Sequence, residues 1–209
     1  MPPNPLYRAK DPVNALRQLA SNTPEYQELT NYLMARNAMP DVKFGYLGST
    51  NGEFERGDGK GVIPQQGRVT INDQYREYGE DPQRAVATLG HELTHAAWHQ
   101  IRKQVESGTA SPELVQAFKR LVYDPKKGTW AVGDFAKKLD PQWYKDNEGY
   151  RASTMEGPAF GMGNVMKPDN TSSSWKPPTH LDSTLATEFR ILQELATRDA
   201  VKNPNKVNR

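Results

Sequence analysis

His91-Glu92-Leu93-Thr94-His95 is an HExxH pentapeptide lying within a stretch of strongly helical residues. On an α-helix two residues four apart project from one face about one turn apart, so both imidazoles can reach a single zinc ion. The intervening Glu then stands beside the open coordination position, where it can take a proton from water. The chemistry this pattern predicts is metal-assisted hydrolysis, with His91 and His95 as ligands and Glu92 as general base. A purely structural zinc site has no need of the Glu92 carboxylate. The chain contains no cysteine, so disulfides cannot stabilise it and a metal must be held by His and carboxylate.

A helix must carry the pentapeptide, and its limits are legible. Asp81 can cap it, Pro82 suits the first turn and Gly108 lies just past the end, which predicts a helix over about 82–106. Val86, Leu89, Leu93, Ala97, Ile101 and Val105 recur at three- and four-residue steps and form its core stripe. His91 sits two residues from both Leu89 and Leu93, about 200° around the helix from each, so the histidine face is nearly opposite that stripe. The helix therefore needs cover on two sides, with a packed back and a cleft in front. Gly90 leaves room for another backbone to approach.

The rest of the chain reads as α+β. Residues 1–10 form an extended Pro-rich arm, followed by helices over about 12–20 and from Thr23-Pro24 to about Asn37, with Thr23 as cap. Residues 42–47 read as a strand and 49–61, with four glycines, as a mobile loop. Val62-Ile63 is expected to pair with Arg68–Ile71 as a hairpin across 64–67. Ser111-Pro112-Glu113 opens a helix with Leu114, Phe118, Leu121 and Val122 on its apolar side, ending at Asp124-Pro125. Another is expected from Asp140-Pro141 to about Met155, stopped by Gly157-Pro158. Residues 161–180 read as a long polar loop, and Leu185, Phe189, Leu192 and Leu195 define a C-terminal amphipathic helix. The sum is one domain over 1–209: an N-terminal arm and helices (1–40), a small mixed or antiparallel sheet packed on the motif helix (41–108), and a mostly helical part carrying the third ligand (109–209).

A catalytic zinc site needs a third protein ligand. The metzincin solution fails on position, because its third His would fall at Ile101 and its Gly at Trp98. His99 is one turn past His95, but three ligands at successive four-residue steps on one straight helix would span about 12 Å, too far for one ion. His99 is expected at the surface or behind the ligands. The segment Pro141-Gln142-Trp143-Tyr144-Lys145-Asp146-Asn147-Glu148-Gly149-Tyr150 resembles the Trp followed by Asn-Glu-Gly-aromatic that supplies the glutamate ligand in gluzincin peptidases, and His91–Ala96 is similar to their motif helix. The resemblance covers these two segments alone and implies a zincin-like fold, a Zn2+ cofactor and His91, His95 and Glu148 as ligands. Glu156, in Met155-Glu156-Gly157-Pro158-Ala159-Phe160, fits a second version of that ligand helix and stays open, as does His180. Tyr150 or His180 would supply the donor to the developing oxyanion, and the strand around Val69–Ile71 could pair with an extended peptide.

Composition narrows the partners. The 209 residues are 35% hydrophobic, Gly and Pro number 16 each, and mean hydropathy is -0.84, so much of the chain must be loop and polar surface. With 27 basic and 25 acidic residues and a net charge of +2, interspersed throughout, no nucleic-acid footprint is expected. The start, Met1-Pro2-Pro3-Asn4-Pro5, has neither a basic nor an apolar run, and no membrane span or signal peptide is expected; a cytoplasmic or virion-associated location is compatible. Trp130 and Trp143 are expected to pack structurally. The expected activity is hydrolysis of a peptide or protein. The alternatives are a catalytically silent zinc protein of zincin fold, similar to small zincin-like proteins of phages, or an amidase on another substrate such as a peptidoglycan cross-link.

Overall fold

The structure, a computed structural model, describes residues 4–57, 60–77, 82–121, 156–166 and 180–202. Helix α1 (Pro12–Ala20) starts where Asp11 Oδ1 accepts the Asn14 amide at 2.9 Å. Helix α2 (Pro24–Ala35) has Pro24 in its first turn, but Thr23 does not cap it; the Thr23 hydroxyl donates back to the Ala20 carbonyl at 2.8 Å. Asn37, at a φ of 49°, turns the chain out of α2 in the left-handed conformation, while the Ala38 amide closes on the Leu33 carbonyl at 2.9 Å.

Three strands follow, β1 (Asp41–Gly45), β2 (Gly52–Glu55) and β3 (Arg68–Asn72), in the order β1-β3-β2. β1 runs parallel to β3, with Val42 opposite Val69, and β2 runs antiparallel to it, with Phe54 opposite Val69. The antiparallel partner of β3 is thus not Val62-Ile63 but a strand inside the glycine-rich segment expected to be a mobile loop. Its apolar content is a single phenylalanine, so it is a strand because β3 offers it a hydrogen-bonding edge, not because of its own propensity. β3 is central and buried from Val69 to Asn72. Both its edges are occupied, so it is unavailable to an added peptide strand; β2 takes the edge position.

After the short helix α3 (Gln74–Glu77) comes α4 (Pro82–Glu106), with the limits its sequence implies. Gly108, at a φ of 70°, closes it while the Thr109 amide reaches the Gln104 carbonyl at 3.1 Å. Val86, Leu89, Leu93, Ala97 and Ile101 are fully buried. Helix α5 (Pro112–Leu121) is capped by Ser111, whose Oγ accepts the Leu114 amide at 3.2 Å.

Helix α6 (Glu156–Val165) begins at Glu156. Gly157-Pro158, expected to stop a helix, lies instead in its first turn, where amides have no intrahelical acceptor and the missing proline N–H is not felt. Residues 161–165, expected in a loop, are helical because their glycines are packed on two sides. A Cβ on Gly161 would come within 2.8 Å of the Asp182 carbonyl oxygen in α7 (His180–Lys202), and one on Gly163 within 2.6 Å of the Ala87 oxygen in α4. Two residues apart on a helix face nearly opposite ways, so α6 is clamped between α4 and α7. One continuous buried cluster runs from Leu6 through the sheet and α4 to Ala196. Within it Trp98 stacks on Phe118 and Phe189, with ring centroids 5.4 and 6.0 Å apart. No described helix is long and apolar enough to cross a membrane. The expected helix over 141–155, and with it Trp130, Trp143, Glu148 and Tyr150, lies outside the described residues.

Candidate metal centre and cleft

The i, i+4 spacing does locally what it implies: the Nε2 atoms of His91 and His95 lie 3.1 Å apart on the cleft side of α4. The first residue of α6 meets them there. Glu156 Oε2 is 3.1 Å from His91 Nε2 and Oε1 is 3.5 Å from His95 Nε2. The close approach of α6 to α4 at Gly163 brings this carboxylate into range. Phe160, one turn further along α6, sets its ring edge-on to His91 at 4.5 Å between centroids.

These distances bear on a metal. A tetrahedral ion with bonds near 2.0–2.1 Å holds its donors about 3.3 Å apart, which is the scale of the three separations. The contact between Glu156 Oε2 and His91 Nε2 has the length of a hydrogen bond without its alignment, and Oε2 is buried with no hydrogen-bond partner among the described residues. An orphaned carboxylate oxygen beside two imidazole nitrogens is what a cation would satisfy. Burial pushes the Glu156 carboxyl up, but the close polar contacts and charge of His91 and His95 outweigh this and hold it well below the usual carboxylate range.

Glu92 stands beside this cluster. One ligand-type atom from each of His91, Glu92 and His95 lies within 4.8 Å of the others, but Glu92, one residue after His91, leaves α4 about 100° away. Its neighbour is Gly52 at the start of β2, where a Cβ would sit 3.1 Å from Glu92 Oε1 and 2.5 Å from Thr88 Cγ2. Only a glycine lets β2 lie this close to α4. Burial raises the Glu92 carboxyl above its ordinary value; the two imidazoles lower it, and Glu156 and Glu53 add to the rise. Glu92 is thus set up to hold a proton more readily than an exposed glutamate.

A cleft opens on both sides of the histidines. One part, about 360 Å³, is lined by Asn51, Thr88, Phe160 and Asn164 together with His91 and Glu92. The other, about 520 Å³, runs past His95 and Glu156 to Phe54, Arg56 and His99. Asn72 fixes the wall between β1 and β2: its Nδ2 donates to the Gly48 and Thr50 carbonyls at 3.0 and 2.6 Å, and its amide to the Asn51 carbonyl at 2.9 Å.

Of the residues singled out from sequence, His91, Glu92, His95 and Glu156 are brought together. Glu148 and Tyr150 lie outside the described residues. His180 is exposed at the first residue of α7. His99 is half-buried in the cleft, away from the cluster. The sequence did not point to Phe160 or to the β2 residues Gly52 and Phe54; the alternation Gly-Glu-Phe-Glu was the available signal, masked by glycines on either side. No protein-family model, curated protein or solved structure matches the chain.

Proposed function

We propose that the protein is a zinc-dependent hydrolase, zincin-like in fold, that cleaves peptide bonds, with His91, His95 and Glu156 holding the metal and Glu92 acting as general base. The observation that carries this is the convergence of two imidazole nitrogens and one carboxylate at 3.1 to 3.5 Å, with a second, buried carboxylate beside them in an open cleft. Glu156 is favoured over Glu148 because its carboxylate reaches both histidines. The zincin-like assignment draws support from a three-stranded mixed sheet packed against the motif helix, with the edge strand β2 running along the cleft.

Zinc, when bound, polarises a carbonyl and lowers the pKa of water to about 7. The chain's own groups do the rest. Glu92, made more basic by burial, takes a proton from the attacking water and returns it to the leaving amine. Glu156 has the low proton affinity that a metal ligand requires. The outer edge of β2, unpaired among the described residues, would pair with the backbone of an extended peptide lying across Glu92.

Purified protein should carry about one zinc per chain, and His91→Ala, His95→Ala or Glu156→Ala should remove it, whereas Glu148→Ala should not. Glu92→Gln should keep the metal and lose about 10²–10⁴-fold in peptide hydrolysis. Undiminished turnover by Glu92→Gln, or full zinc content in Glu156→Ala, would refute the assignment of that residue.

A further inference from the structure

The cleft does not end at the histidines. One turn beyond His95, about 6 Å along α4, it continues between β2 and α4 as a trough of about 510 Å³ that shares Phe54, Arg56 and His99 with the part beside Glu156. Among its described lining residues this end carries an excess of one cation, Arg56 and Lys103 against Glu55, with Glu53 on the part nearer Glu92. Arg56 follows β2, and Arg102 and Lys103 come from α4; all three act on the half-buried His99, whose proton affinity is lowered first by burial and then by these charges. Arg102 is engaged by Glu106 at 2.6 Å, and Glu55 also lines the trough. Arg56 and Lys103 are exposed, and among the described residues neither has an ion-pair partner. The opposite end differs. Beyond His91 and Glu92 it is lined by Ser49, Thr50, Asn51, Thr88, Phe160 and Asn164, with no charged side chain among the described residues.

We infer that this groove selects an extended peptide with an acidic side chain at the Arg56 and Lys103 end and an uncharged one at the Phe160 and Asn164 end. His99 lies seven residues beyond Glu92, about 10.5 Å along α4, and an extended chain advances about 3.3 Å per residue, so the acidic side chain lies about three residues from the bond that faces Glu92. The location of that bond rests on the hydrolase proposed above; the charge preference does not. Rim charges of this kind act through attraction that salt screens.

Fluorescein-labelled ten-residue peptides with Asp, Asn or Lys at successive positions separate the two. Anisotropy titrations on the zinc-loaded protein should give the Asp peptides about tenfold tighter binding than their Lys counterparts at low salt, narrowing as salt rises. Arg56→Glu with Lys103→Glu should reverse the order, while Lys43→Glu, a charge reversal on β1 outside the groove, should leave it. Mass spectrometry of the digests should find the acidic residue on one side of the cut only. Equal affinity for acidic and basic peptides, or acidic residues on both sides of the cut alike, would overturn the inference. Acidic preference in binding without turnover would support the groove's selectivity and count against the hydrolase.

Discussion

At the residue scale the site depends on side chains whose direction is fixed by their helices. His91 and His95 need only the 3.6-residue repeat of α4 to meet, so their convergence was readable from spacing alone. Glu156 was readable only as one of two glutamates in a plausible context; the structure places its carboxylate 3.1 and 3.5 Å from the two imidazoles. Phe160 stands behind His91 through an edge-on ring contact, an arrangement worth about 1 kcal/mol. Phe160→Ala should therefore weaken zinc affinity by about fivefold through loss of His91 ring orientation, measured by competition with a chromogenic chelator. Unchanged affinity would mean that α4 alone orients His91.

At the element scale the decisive event is the docking of α6 on α4. A Cβ on Gly163 would lie 2.6 Å from the Ala87 carbonyl oxygen, part of the backbone; one on Gly90 would lie 2.5 Å from the sulfur of the Met166 side chain. Backbone cannot yield and a methionine tip can. Gly163→Ala should thus cost about 1–3 kcal/mol in urea unfolding and lower zinc affinity by pushing Glu156 outward, whereas Gly90→Ala should cost less on both counts. Equal losses for the two would contradict this packing. The same docking explains why Gly157-Pro158 and the glycines after it are helical against their local propensity. They read as helix breakers by local propensity, yet small size is what an interior helix needs when squeezed between α4 and α7, and tertiary contact overrides propensity. The boundaries of α1 and α4 were legible for the converse reason: each has a proline at its start, and α4 ends in a left-handed glycine, features that act within the chain segment itself.

At the scale of the whole molecule, the proposed metal would tie α4 to α6 and so couple binding to folding. A ligand present at a thousand times its Kd stabilises the native state by about 4 kcal/mol, which for a chain of this size corresponds to about 10 °C in Tm. Chelation with EDTA should lower Tm by that amount and zinc should restore it, while His95→Ala should show the low Tm with or without zinc; a Tm indifferent to chelator would argue against a metal bridging the two helices. The strand order is the other property of the whole. Which segment pairs with β3 depends on where β1 and α4 leave an edge open, and β2, with little strand character of its own, fills that edge because Gly52 alone fits against Thr88 and Glu92. The amino-acid sequence by itself determined the local features: the α+β class, the span of the motif helix, the pairing of His91 with His95 and the position of Glu92, all set by helical periodicity and end signals within a few residues. Only the tertiary structure brought the Glu156 carboxylate to the imidazoles and set which strand walls the cleft and where its charge lies, because those outcomes depend on contacts between segments far apart in the chain, whose geometry no local pattern encodes.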